Sequence, residues 1–216
     1  MTNASGSLVC LISVSNQRFT KALISRFGEW AALHEMALIC IVLDGPERHN
    51  VAVFEKRSAE DADAEARTRG ASLMRELAAP GVCFIDWAEA KAAIQWHPAF
   101  AMLKRQYGLN GPFRRHCLSQ TFSSLRPRFR QIGVNNKKHP AVERCVQYLL
   151  EEIALKIALV RSGRFRGEIM PVPETDLMMA IYGDRYFELG LRRNQFLIVT
   201  YDGLQALCTQ TSATGS

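Results

Sequence analysis

Leu8-Val9-Cys10-Leu11-Ile12-Ser13-Val14-Ser15-Asn16 is apolar at five successive positions and then turns polar. A strand with one wet face alternates apolar and polar residues, whereas a strand covered on both faces has no need to. Unbroken apolar character that includes β-branched residues therefore predicts a strand inside a parallel sheet. Ala37-Leu38-Ile39-Cys40-Ile41-Val42-Leu43 reads the same way and is closed by Asp44-Gly45-Pro46. Between the two, Phe19 to Leu33 carries Leu23, Ile24, Phe27, Trp30 and Ala31 at helical spacing. Strand, helix, strand is a βαβ unit. It predicts an α/β fold of three layers around a mainly parallel, Rossmann-like sheet.

The pattern extends outward from that unit. Ser58, with Glu60 and Asp61 behind it, caps a long polar helix that runs to about Ala79 and stops at Pro80-Gly81. Val82-Cys83-Phe84-Ile85-Asp86-Trp87 reads as a third strand. The stretch that follows is mostly helical, broken near Gly108–Pro112 and at Pro127, and His139-Pro140 opens a helix to about Val160. Glu168–Met170 and Gln195–Tyr201 are expected strands, with a helix from about Glu174 between them. Residues 209–216 read as a loose tail. With no repeat and no linker, the 216 residues form one expected domain with its core at about 8–203.

A hydrophobic share of 48% against 22% charged excludes a disordered chain. No apolar run reaches the roughly 18 residues of a membrane span, and the first residues lack the basic start of a signal peptide. A cytoplasmic, monomeric protein with no membrane partner is expected. Cys10, Cys40, Cys83, Cys117, Cys145 and Cys208 contain no C-x-x-C pair. They read as reduced thiols used as small core residues, with no disulfide frame, no metal site and no cofactor expected.

Charge is the next signal. From Ala90 to Val142 there is no Asp or Glu, yet Lys91, Lys104, Arg105, Arg114, Arg115, Arg126, Arg128, Arg130, Lys137 and Lys138 fall there. The whole chain carries +6, so the remainder carries −4 once these ten cations are set aside. A cationic block in an otherwise slightly acidic protein predicts an anionic partner, of which nucleic acid is the commonest large one. A solvated basic face without a partner is the plainer reading.

Two places carry candidate chemistry. In open parallel sheets ligands bind beyond the carboxyl ends of the strands, where the strand order reverses. Ser13, Ser15 and Asn16 stand at such an end. The glycine-rich dinucleotide fingerprint, the phosphate loop and the G-x-S-x-G elbow are all missing. From the residues alone, a serine that merely caps the next helix competes evenly with a nucleophile. The second place is the helix after His139-Pro140. Val142, Cys145, Val146, Leu149, Leu150, Ile153 and Ile157 form its apolar arc, and Glu143, Arg144, Gln147, Glu151 and Arg161 its expected solvent side. Tyr148, Glu152 and Lys156 run along the seam at i, i+4, i+8. A carboxylate facing a core needs a partner. Lys156 one turn away supplies one, and a bound ammonium group would supply another; seam position favours Lys156.

Leu11-Ile12-Ser13-Val14-Ser15-Asn16-Gln17-Arg18-Phe19, followed far downstream by Tyr148-Leu149-Leu150-Glu151-Glu152, resembles the tRNA-dependent cyclodipeptide synthases. Leu43–Asn50 and the helix from Ser58 also look similar, so the resemblance covers roughly residues 8–200. That family is similar to the catalytic domain of class I aminoacyl-tRNA synthetases without its ATP signatures, and neither H-x-G-H nor K-M-S-K-S occurs here. The resemblance implies that Ser13 is the nucleophile with Asn16 as its companion, and that Tyr148 and Glu152 hold the substrate amino group. It implies a ping-pong synthesis of diketopiperazines from two aminoacyl-tRNAs. A Ser13 aminoacyl-enzyme becomes a dipeptidyl-enzyme, whose terminal amine then closes on the ester. It also assigns Val9, Leu11, Ile41, Leu155, Lys156 and Met170 to an amino-acid pocket. In this reading the tRNA contacts fall to Lys104, Arg105, Arg114, Arg115, Arg126, Arg128, Arg130, Lys137 and Lys138.

Two departures accompany it. Met170-Pro171 stands where the family usually has a Tyr, and the Ser58–Ala79 helix is mixed in charge where relatives have a basic one. A non-catalytic RNA-binding domain of the same fold is the alternative reading.

Overall fold

A computed structural model describes residues 6–171, 175–188 and 197–200. The apolar runs are β1 (Ser7–Ile12) and β2 (Ala37–Val42), joined by α1 (Lys21–Leu33). They pair in parallel and in register, from Ser7 opposite Ala37 to Ile12 opposite Val42. The sheet adds β3 (Val82–Ile85) outside β2, and β4 (Phe165–Met170) and β5 (Leu197–Thr200) on the far side of β1. The order is β3-β2-β1-β4-β5, and every pairing is parallel. The chain winds one way from β1 to β3 and then returns to the other side, so the order reverses between β1 and β4.

Successive residues of β1 point to opposite faces. Leu8, Cys10 and Ile12 pack with Ile24, Phe27 and Trp30 of α1 and with Leu77 of α3 (Ala59–Leu77). Val9 and Leu11 face the opposite layer. That layer contains α4 (Trp87–Ala93), α5 (Trp96–Leu109), α6 (Gly111–Ser124) and the long α8 (Pro140–Ser162). Both faces are dry, as the unbroken apolar runs require. The helix limits follow local chemistry: Ser58 Oγ accepts from Asp61 N at 3.1 Å, and α8 ends on Gly163 at φ 63°, a conformation glycine adopts without cost.

α9 (Asp176–Tyr182) and β5 fall where a late helix and strand are expected, though Gln195 and Tyr201 lie outside the described residues, as do Glu174, Cys208 and the 209–216 tail. Cys10, Cys40, Cys117 and Cys145 are buried free thiols, and Cys83 is exposed. No helix among the described residues is long and apolar enough to cross a membrane.

Two expectations are corrected. Asp44-Gly45-Pro46 does not merely close β2; it opens α2 (Asp44–Phe54). Proline fits a first helical turn because its missing N–H has no helical partner there. Asp44 Oδ1 meanwhile accepts from Trp87 N at 3.0 Å, which ties the start of α2 to α4. Glu151 is not on a solvent side: it is 3% exposed, because α2 packs against that flank of α8. Arg48 donates to both of its oxygens, at 2.5 and 3.0 Å, and His49 Nε2 lies 3.1 Å from Oε1. Trp96 Nε1 donates to the Glu151 carbonyl at 3.3 Å, adding α5 to the junction.

Burial alone would raise the Glu151 carboxyl, but the His49 and Arg48 contacts outweigh it and hold the group below its ordinary value. A depressed carboxylate contributes stability above its unfolded pKa and loses it as pH falls through the folded value. Arg48→Met removes the bidentate partner and leaves His49 beside that charge, so denaturant unfolding at neutral pH should show a loss of up to about 3 kcal/mol. The gap to the wild type should narrow below about pH 4 as the carboxyl is protonated in both proteins. An undiminished gap in acid would show that Arg48 acts only through packing.

Candidate active site

Ser13 follows β1 directly, at the carboxyl end of the sheet and at the reversal of strand order. The alternation of β1 sends it to the face of Val9 and Leu11, toward α8. Asn16 N donates to the Ser13 carbonyl at 3.1 Å, and Asn16 Oδ1 accepts from Arg18 N at 3.1 Å. These bonds fold the loop back before α1 begins. The N-cap of α1 is Thr20, whose Oγ1 accepts from Leu23 N at 3.2 Å. Helix capping therefore explains neither serine. Ser15 Oγ instead donates to Glu47 Oε2 at 3.3 Å.

A cavity of about 530 Å³ opens over this strand end. Ser13 and Asn16 line it from the loop, Tyr148 and Glu152 from α8, Asn50 from α2 and Thr121 from α6. The four residues expected to be catalytic thus share one space. Tyr148 and Glu152 lie one helical turn apart, which brings both side chains to one flank of α8. The Tyr148 hydroxyl is buried without a well-formed hydrogen bond. Burial pushes this phenol well above its ordinary value, the Glu152 and Glu47 charges push the same way, and the Ser13 hydroxyl opposes them. Tyr148 therefore stays protonated and can donate as well as accept.

Behind the loop lies a carboxylate not anticipated from sequence. Glu47 is 1% exposed and accepts from Ser15 and from Asn50 Nδ2, the latter at 3.0 Å. Arg128 of α7 (Arg126–Gln131) brings Nη1 to 3.8 Å from Glu47 Oε1, its guanidinium carbon resting 4.2 Å from the centre of the Phe54 ring. Burial raises the Glu47 carboxyl, against the opposing pull of Asn50, Arg128 and Ser15. Arg128 is half-buried and committed to this network, which sets it apart from its neighbours in the cationic block. Lys104, Arg105, Arg114, Arg115, Arg126, Arg130, Lys137 and Lys138 are exposed. In the mixed helix α3 two of the three arginines have local partners: Arg69 lies 2.7 Å from both Glu55 and Glu65, and Arg67 lies 2.6 Å from Asp63.

The residues assigned to an amino-acid pocket lie deeper. Val9, Leu11, Ile41 and Leu155 are buried in the core between the sheet and α8. Met170 is 8% exposed at the end of β4, opposite Thr200. Lys156 is buried, and the carboxylate 3.2 Å from its Nζ is Glu168 on β4, not the Glu152 of its own helix that seam spacing favoured. Glu168 stands opposite Val9 in the β1–β4 register, so it points to the α8 face. The signal for it was a lone acid within an otherwise apolar strand end, Gly167-Glu168-Ile169-Met170. Among the described residues no group of three or more His, Cys, Asp or Glu gathers as a metal cluster.

No protein-family model matches the sequence, and no curated protein matches it. Solved structures do match in fold. A CDPS (cyclodipeptide synthase) from Fluoribacter dumoffii has a TM-score of 0.71 at 17% identity, over 91% of this chain and 90% of that one. A cyclodipeptide synthase from Candidatus Glomeribacter gigasporarum, solved bound to Phe-tRNAPhe, has a TM-score of 0.61 at 20% identity, over 90% and 87%. A Mycobacterium tuberculosis protein, whose structure relates cyclodipeptide synthetases to type I tRNA synthetases, has a TM-score of 0.61 at 14% identity, over 89% and 84%. The fold is that of the cyclodipeptide synthases, across nearly the whole length of both partners. Its core is a Rossmann-like, five-stranded parallel sheet that places Ser13 at the switch point.

Lys156→Met should leave Glu168 charged in a dry core and lower stability by about 3–5 kcal/mol in urea unfolding. Lys156→Met combined with Glu168→Gln should recover much of that loss. If the double variant is as unstable as the two single losses added together, the pair is not coupled.

Proposed function

We propose that this chain joins two aminoacyl groups, delivered by tRNA, into a cyclic dipeptide through an ester on Ser13. The observation that carries this reading is the meeting of Ser13, Tyr148 and Glu152, remote in sequence, around one cavity at the sheet's switch point. The fold shared with cyclodipeptide synthases supports it.

The chemistry runs without a cofactor because an aminoacyl-tRNA ester is already activated. Ser13 Oγ attacks the ester carbonyl, the bond to the tRNA 3′-terminal ribose breaks, and the serine proton ends on the departing ribose oxygen. An aminoacyl-Ser13 ester and free tRNA result. The next bond has a direction. Attack by an incoming amine on the Ser13 ester would free the serine and leave a dipeptide on tRNA. A dipeptidyl-enzyme forms only when the Ser13-bound amine attacks the second aminoacyl-tRNA ester, and that step releases the second tRNA. The new terminal amine then attacks the Ser13 ester, closing the ring and restoring the hydroxyl. Each attack needs a neutral amine, so Glu152 first holds the ammonium and then takes its proton. Tyr148, protonated and close to Ser13, orients the amine. The exposed cations of α5 to α8 face the phosphates and position the tRNA without reading its sequence.

Incubation with radiolabelled aminoacyl-tRNA should label the wild-type protein, and Ser13→Ala should abolish the label while Ser15→Ala retains it. Loss with Ser15→Ala alone would place the nucleophile elsewhere. Binding of tRNA without label in the wild type would favour a non-catalytic RNA-binding domain.

Arg126→Glu and Arg130→Glu together should weaken tRNA binding and reduce the salt slope by roughly one unit per lost phosphate contact, with the melting temperature held. Arg128→Glu should instead lower the melting temperature, because it places a second carboxylate beside Glu47. Equal effects of all three on binding alone would remove the distinction drawn for Arg128.

A further inference from the structure

Asn50 is 3% exposed and lines the same cavity as Ser13, Tyr148 and Glu152. Its amide orientation is fixed by chemistry. Glu47 as a carboxylate can only accept, so the nitrogen of Asn50 must be the atom facing it, at 3.0 Å. The carbonyl oxygen is thereby turned away from Glu47, and it is a buried acceptor with no donor among the described residues. Buried polar groups are rarely left unmatched, because each such group costs free energy to bury. Tyr148 and Thr121 hold two further buried hydroxyls without hydrogen-bond partners, and both line this cavity. Unmatched polar atoms from three helices thus converge on one space.

The donor that fits is cationic. The polar groups gathered here are mostly acceptors, a carboxylate (Glu152), amide carbonyls and hydroxyls, and the one cation among the lining residues, Arg18, is solvent-exposed whereas Asn50 is buried. The charge of Glu47 behind the amide polarises it and strengthens its oxygen as an acceptor. An ammonium has three N–H donors in a tetrahedral fan and requires three acceptors when it leaves water. Glu152 and Tyr148 provide two.

We propose that Asn50 is the third: its Oδ1 accepts a hydrogen bond from the α-ammonium of the aminoacyl group, and Glu47 is the positioning residue that holds it there. This rests on the function proposed above. Ser15 also hangs on Glu47, so the same carboxylate braces both the nucleophile loop and the ammonium acceptor.

The test compares two esters on each protein. Bulk tRNA charged with a radiolabelled amino-acid mixture is used directly, or after nitrous acid has replaced the α-amine by a hydroxyl while leaving the ester intact. The initial rate of Ser13 labelling is measured for the wild type and for Asn50→Leu, with melting temperatures alongside. Asn50→Ser, which keeps a donor for Glu47, replaces Asn50→Leu if the latter does not fold. The expected result is a loss of about 10- to 100-fold on the amine substrate and little loss on the hydroxy substrate. The ratio within one protein cancels any loss of folded material. An equal loss on both esters would make Asn50 a structural residue only, and no loss on either would remove it from the site. If the wild type is labelled by neither ester, the functional reading itself fails and the assignment of Asn50 falls with it. A wild type that is labelled, with an indifferent variant, overturns only Asn50.

Discussion

Two carboxylates on facing helices, Glu47 of α2 and Glu151 of α8, are buried almost completely, and each must be answered by a cation. Removing a charged carboxylate from water costs several kcal/mol even after relaxation, so an unanswered one would open the structure. Glu151 takes Arg48 and His49 from α2, and Glu47 takes Arg128 from α7. The two pairings fix how α2 lies against α8 and where α7 closes on both. Everything that matters at the strand end is positioned by that arrangement: Asn50 and the contact to Ser15 come from α2, and Tyr148 and Glu152 from α8. Aliphatic packing alone could tolerate a rotation of α2 at modest cost. A bidentate Arg–carboxylate pair tolerates far less.

The sheet and its early helices were legible because their causes are local. β1 and β2 announce themselves by unbroken apolar runs, α1 by spacing, and α3 by Ser58 with acids behind it. α2 was not legible. Asp44-Gly45-Pro46 has the composition of a turn, and of the next eight residues only Val51, Ala52, Val53 and Phe54 are apolar. Its helicity is rescued by tertiary contacts, including the Asp44 bond to Trp87 and the close approach of α3, where a Cβ on Gly70 would meet the Asp44 side chain at 2.5 Å. Missing α2 carried the Glu151 error with it. Helical periodicity assigns Glu151 to solvent unless something covers that flank, and it offers Glu152 as the neighbour of Lys156 because it cannot see β4. Periodicity fixes the direction of a side chain; the identity of its partner is a property of the assembled layers.

At the site, the strand-end serines and the Tyr148–Glu152 seam could be found by position. Their supports could not, since Glu47, Asn50 and Arg128 act through one another across two helices, α2 and α7. Arg128 shows the limit most clearly. By sequence it is one of ten cations in an acid-free stretch; in space it is the counter-charge of a buried carboxylate and stacks on Phe54.

The resulting distribution of charge suits a molecule with two unlike ends. Exposed lysines and arginines along α5 to α8 present a field that draws a polyanion from a distance and weakens with salt. Apart from the exposed Arg18, the cavity lining presents mainly carboxylate, carbonyl and hydroxyl oxygens, which favour an ammonium. Lys156 has a carboxylate of its own on β4, so the deep ion pair is close to neutral overall. An aminoacyl-tRNA is anionic along its length and cationic only at its aminoacyl terminus. A free tRNA has no ammonium to place in the cavity, and a free amino acid has no phosphates for the surface. On the function proposed above, both regions are satisfied together by the charged ester, which would give a physical basis for retaining substrate while releasing spent tRNA.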